Sequence, residues 1–140
     1  MLIEELHGIK EYKPQTLFTS VRIADRYLAL ILDREEPLPC LVTLAVTSLL
    51  LGAKLEEPMG PSVNMLLKLL SEKHSINLKK TDVFGLEESI IRLLDFNLRS
   101  SSPLDFLERF IRIFDLDSSD DSQTKQTVVL SYEYCRFMQR

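Results

Sequence analysis

Between Leu38 and Ala53 runs "LPCLVTLAVTSLLLGA", apolar on nearly every side of the helix it would form. A helix without a polar stripe has no face to turn to water, so it belongs at the centre of a bundle with other helices wrapped around it. At about 16 residues, with Pro39, Thr43, Thr47 and Ser48 inside, it is shorter than the ~20 a bilayer requires, and it reads as a core helix from about Pro39 to Leu55. Its end is abrupt: "GAKLEEP" sets Lys54 beside Leu49, Leu50 and Leu51, with Glu56 and Glu57 just behind.

The wrapping helices are visible as apolar residues at three- and four-residue steps. Leu2, Ile3, Leu6 and Ile9 mark a short first helix that Pro14 stops. Thr16 is positioned to cap a second, with Leu17, Val21, Ala24, Leu28 and Ile31 on one stripe and Arg22, Asp25 and Arg26 on the other side. After the turn chemistry of "EEPMGPS", Ser62 caps a fourth helix carrying Val63, Leu66, Leu67 and Leu70 and ending near His74. The fifth runs from Asn77 or Leu78 to Asp95 with Val83, Leu86, Ile90, Ile91 and Leu94 buried. Ser102 and Pro103 open a sixth that reaches about Phe114. "DLDSSDDSQT" is an acidic linker, and a last helical stretch offers Val128, Val129, Tyr132 and Phe137 for docking. Strand signals are poor throughout, so the fold class is all-α.

Composition narrows the function. With 45% hydrophobic and 27% charged residues the chain is an ordinary globular one, and 140 residues fit one domain. A net charge of -4 with no clustered Lys and Arg argues against nucleic acid as a partner. Cys40 and Cys135, the two cysteines, read as reduced, buried and inert, and the acidic N-terminus lacks the form of a signal peptide, which points to nucleus or cytoplasm. His7 and His74 read as surface histidines with no cysteine at metal-ligand spacing. The glycines at 8, 52, 60 and 85 form no phosphate loop, so no cofactor is expected. Asp115, Asp117, Asp120 and Asp121 miss the calcium-loop pattern, with Asp120 where glycine is required and Gln126 where glutamate is. Ser118 and Ser119 in the same linker are phosphorylatable in principle. No metal site or catalytic constellation emerges, so binding is the expected class of function.

Three stretches in order resemble the cyclin family, and specifically its first cyclin box. "EYKPQTLFTSVRIADRYLAL" is similar to the family's second helix, "LVTLAVTSLLLGAKLEEP" to its central third, and "LEESIIRLLDFNLRSSSPLDFL" to its fifth and the exit from it. The resemblance covers about residues 2 to 113 and implies five helices packed around the third. By it, residues 1–115 form the box, 116–122 an acidic linker, and 123–140 a further helix that either opens a second box or packs on the first. It also implies a job for the stranded cation. Lys54 and Glu87 would lie side by side on the surface that grips a cyclin-dependent protein kinase, with Leu51, Leu55, Ile91, Phe96 and Leu98 forming the apolar groove for the kinase's regulatory helix. The helix dipole favours a lysine in a last turn by about 0.3–1 kcal/mol in any case, so position alone does not assign Lys54 a partner. Phe96 reads at least as readily as core as it does as interface, and Glu56 and Glu57 as turn residues. The implied protein is a non-catalytic subunit that activates the kinase by holding that helix inward. The alternative is a cyclin-box scaffold or adaptor with a non-kinase partner. The family's substrate-docking Met-Arg-Ala-Ile-Leu segment has no counterpart in "MLIEEL", so the resemblance does not extend to substrate recruitment and leaves it open.

Overall fold

The computed structural model describes residues 2–10, 12–114 and 122–137, which divide between two compact units, residues 1–100 and 101–140. Among the described residues there are seven helices: α1 (Leu2–Lys10), α2 (Pro14–Asp33), α3 (Leu41–Glu56), α4 (Val63–His74), α5 (Lys80–Leu93), α6 (Pro103–Ile113) and α7 (Ser122–Phe137). No strand occurs among them.

In the first unit α3 is the axis. Ile3 and Leu6 of α1, Leu17 and Val21 of α2, Val63, Leu66 and Leu70 of α4 and Val83 of α5 close on Val46, Leu49 and Leu50 on one side of α3. On its other side Leu44 and Leu51 pack with Ile23, Ala24, Tyr27 and Ile31 of α2 and Ile90 and Leu94 of α5. A helix that feeds two clusters must be apolar around its circumference, which is the pattern of the Leu38–Ala53 run. Its buried hydroxyls are satisfied locally: Thr47 Oγ1 donates to the Thr43 carbonyl at 2.7 Å and Ser48 Oγ to that of Ala45 at 3.1 Å.

The approach of α2 to α3 depends on a missing side chain. A Cβ at Gly52 would stand 2.2 Å from Ser20 Oγ, 3.0 Å from the Thr16 carbonyl oxygen and 3.1 Å from Ser20 N. Ser20 Oγ is itself committed, donating to the Thr16 carbonyl at 2.6 Å, so it has no cheap way to withdraw.

Capping sets several helix starts. Ser62 Oγ accepts from Met65 N at 3.2 Å to open α4, and Ser102 and Asp105 form a reciprocal capping box on α6 with Pro103 behind it. The left-handed Ser75 (φ 54°) ends α4. Three expectations are corrected. Thr16 does not cap α2: the helix begins two residues earlier, because Pro14 brings its own helical φ and lacks the N–H that a first-turn position leaves orphaned. α5 begins at Lys80, since Ile76 and Leu78 are spent in the preceding loop packing against the first cluster. His7 is buried, because it sits one turn beyond Ile3 on the core-facing side of α1, with Nε2 against the Lys13 carbonyl at 2.9 Å. His74 is half-buried, its Nε2 3.5 Å from Glu5 Oε1. The thiols differ from expectation as well: Cys40 is exposed and Cys135 half-buried. Cys40 is the residue before the first turn of α3, where the N–H and hydroxyl of Thr43 favour the thiolate and lower its pKa.

In the second unit α7 packs on α6, with Leu107, Phe110 and Ile111 facing Thr124, Thr127, Val128 and Ser131. Val128 and Tyr132, four apart, share the partly buried side. Val129 and Phe137 are exposed, contrary to expectation, because they fall on other sides of the helix. Most of the acidic linker, Asp115, Asp117, Ser118, Ser119, Asp120 and Asp121 included, lies outside the described residues. Among the described residues no helix is long and apolar enough to cross a membrane.

The glycines give opposed expectations. Gly52→Ala should destabilise the first unit by about 1–3 kcal/mol despite its better helix propensity, because the added methyl overpacks the α2–α3 contact. Gly85→Ala, with nothing within 4 Å of the new methyl in mid-α5, should stabilise by up to about 1 kcal/mol. Urea unfolding of both variants checks this; a stabilising Gly52→Ala would refute the close-approach account.

Candidate functional site

The last turn of α3 lies beside the middle of α5, and there Lys54 Nζ meets Glu87 Oε1 at 2.5 Å. Exposure is uneven, 45% for the lysine side chain and 13% for the glutamate. The carboxylate is thus held largely out of water while the ammonium stays presented. Beyond α3 the chain turns back so that a Cβ on Gly60 would lie 3.5 Å from Lys54 Cα and Cγ, flanking the lysine stem.

The apolar residues expected around the pair sort into three kinds. Leu55, Ile91 and Leu98 are partly buried, packed on the second core cluster with one side open. Leu51 is 3% exposed and is part of the core, so it underlies the surface without forming a wall of it. Phe96 is the opposite, at 78% exposed, so it is not a core residue. Lys54, Glu87, Leu55, Ile91 and Leu98 therefore come together on the α3–α5 side, with Phe96 projecting where the chain leaves α5.

Glu56 and Glu57 are more than turn residues. Glu57 Oε1 accepts from the Lys13 backbone N–H at 2.8 Å and from Thr16 Oγ1 at 2.6 Å, and Glu56 Oε1 accepts from Thr19 Oγ1 at 2.9 Å. A carboxylate at the N-terminus of α2 satisfies an orphan donor and meets the positive end of the helix dipole, which does the work that a cap within α2 would have done. The nearby Tyr12 phenol is raised in pKa, first by burial and then by the Glu57 carboxylate. So Lys54 turns toward α5 while the two glutamates turn back to α2.

Sequence reasoning missed the arginines. Arg22 Nε donates to Ser100 Oγ at 2.7 Å, Arg26 Nη1 to the Asn97 carbonyl at 2.7 Å, and Arg99 Nη2 to the Leu55 carbonyl at 2.9 Å. They tie the segment after α5 to α2 and to the end of α3. The spacing of Arg22 and Arg26, one helical turn apart, carried a signal that both serve one strip of neighbouring chain. Tyr27 OH and Ser89 Oγ, 3.1 Å apart, add a polar link from α2 to α5.

A shielded carboxylate paired with a presented ammonium beside open leucine and isoleucine side chains offers apolar area together with polar groups that can orient backbone donors and acceptors. Among the described residues no group of His, Cys, Asp or Glu is placed to hold a metal ion.

Glu57→Ala should lower stability by about 0.5–2 kcal/mol, the ordinary cost of an uncapped helix start, and should increase hydrogen exchange in the first turn of α2 ahead of the core. Unchanged exchange at Lys13 and residues 15–17 would mean that the carboxylate is not the cap.

Residues 1–99 match the family described as "Cyclin, N-terminal domain". An S-phase cyclin of Saccharomyces cerevisiae is 32% identical over 131 residues, covering 94% of this chain and 28% of the relative. The G2/mitotic-specific cyclin-B of Dictyostelium discoideum is 30% identical over 125 residues, covering 89% of the chain and 27% of the relative. The chain thus spans little more than a quarter of the length of these curated relatives. No solved structure matches it.

Proposed function

Since the chain belongs to the cyclin family, we propose that it is a non-catalytic regulatory subunit that binds a cyclin-dependent protein kinase through the α3–α5 side and activates it. The observation that supports this most directly is the Lys54–Glu87 pair at 2.5 Å beside the open sides of Leu55, Ile91 and Leu98. A protein kinase is active when its strand lysine pairs with the glutamate of its mobile regulatory helix. A partner that binds the inward helix better than the outward one shifts that equilibrium, and moving it from 1:99 to 99:1 takes about 5.5 kcal/mol of differential affinity. A standard interface removes ~1,600 Å² from water and concentrates its energy in a few central anchors. Leu55, Ile91, Leu98 and Phe96 are the anchors in this reading. Lys54 and Glu87 fix the register of the incoming helix.

Two measurements test the reading together. The pair is partly exposed, so Lys54→Ala should shift folding stability by less than about 1 kcal/mol. Desolvated beneath a kinase the same pair matters more, and Lys54→Ala or Glu87→Ala should weaken capture and activation of a cyclin-dependent kinase by about 2–5 kcal/mol. Normal binding and activation by both folded variants would remove the site assignment. Capture of a non-kinase protein with kinase activity unchanged would make the chain an adaptor.

A further inference from the structure

The exit from α5 contains adjacent non-glycine residues in the left-handed region, Asp95 at φ 50° and Phe96 at φ 58°. Each such residue is strained and persists where its surroundings over-determine it. The second of them carries a phenylalanine ring that is 78% exposed. Backbone strain and an unburied aromatic ring on one residue are two costs incurred together, close to the open apolar sides of Ile91 and Leu98.

Several bonds hold the turn. Phe96 N–H donates to the Ile91 carbonyl at 2.9 Å, Asn97 N–H to that of Leu94 at 2.9 Å, and Leu98 N–H to that of Phe96 at 3.0 Å. These bonds are local, made within the exit from α5 itself. The tertiary restraint on the turn's own backbone comes from α2: the Arg26 guanidinium donates to the Asn97 carbonyl at 2.7 Å. Arg22, one turn earlier, grips Ser100, beyond the turn. A charged donor on a carbonyl is among the stronger hydrogen bonds, and here it holds the Asn97–Leu98 peptide, one residue beyond Phe96.

We propose that Arg26 is a positioning residue for the docking surface: by clamping the Asn97 carbonyl it keeps the left-handed Asp95–Phe96 turn in place and Phe96 pointing outward as a preformed anchor. Without the clamp the turn relaxes, and the ring folds down on the neighbouring apolar side chains. Its use in binding rests on the kinase-docking reading above. Its orientation does not.

The protein has no tryptophan, so Phe96→Trp supplies a single fluorescent reporter at the position in question. With Arg26 intact, emission should be red-shifted and readily quenched by acrylamide. Adding Arg26→Met, which keeps side-chain bulk and helix propensity, should give a blue shift and a loss of quenching. Adding Arg22→Met should give neither. A buried reporter with Arg26 intact, no change on Arg26→Met, or the same change on Arg22→Met would each overturn the clamp. If circular dichroism shows Arg26→Met unfolded, Arg26→Gln takes its place under the same criteria. In kinase capture, Arg26→Met should weaken binding about tenfold, and Phe96→Ala should cost less in that background than in the parent, as coupled residues do. Additive losses would overturn the role in binding. Because the fluorescence needs no partner, failure of the clamp is distinguishable from failure of the Lys54–Glu87 site.

Discussion

Everything in the first unit follows from the need to enclose α3 on both sides. One cluster reaches it through α1, α2, α4 and α5, the other through α2 and α5. Burial of each large apolar side chain gives about 1.5–3 kcal/mol, so a helix apolar nearly all round gathers neighbours along most of its length, leaving Leu41 at its start exposed. Polar groups carried into this enclosure are satisfied within it, as the hydroxyls of Thr47 and Ser48 are by carbonyls of their own helix. The close approach at Gly52 then sets the separation of α2 from α3.

The enclosure has an end, and the charged residues there divide between neighbours. Lys54 leaves α3 toward Glu87 on α5, while Glu56 and Glu57 reach back to Thr19, Thr16 and the start of α2. Arg99 returns from beyond α5 to a carbonyl of the last turn of α3, which the helix itself leaves without a partner. One short stretch, Lys54 to Glu57, thereby joins the helices around the core. The surface formed at this junction is tied to α2, α5 and the segment after α5.

Much of the fold was legible because its signals are local. Helical periodicity, the Ser62 cap, the Ser102–Pro103 start and the all-round apolarity of α3 depend on residues within a turn or two of one another. The start of α2 was misread because its cap is Glu57, 41 positions from Thr16, and no window of sequence joins them. His7 was misread for a similar reason, since a histidine on a short amphipathic helix is buried or exposed according to what else covers that side. At the site, Lys54 and Glu87 are paired by resemblance, while Arg22 and Arg26 read only as the polar side of the second helix and Arg99 carries no reading at all. Their carbonyl and hydroxyl partners lie on the segment after α5 and at the end of α3, and carbonyl acceptors leave no mark in a sequence.

By itself the sequence determined that this chain is helical, that its third helix lies at the centre, and that a lysine and two glutamates end that helix. These are consequences of side-chain polarity and spacing, which act at short range. The tertiary structure decided which way each charge turns, that Leu51 is core while Phe96 stands in water, and that the α5 exit is left-handed under an arginine from α2. Those outcomes depend on distances between residues far apart in the chain, and such distances exist only once the helices have packed.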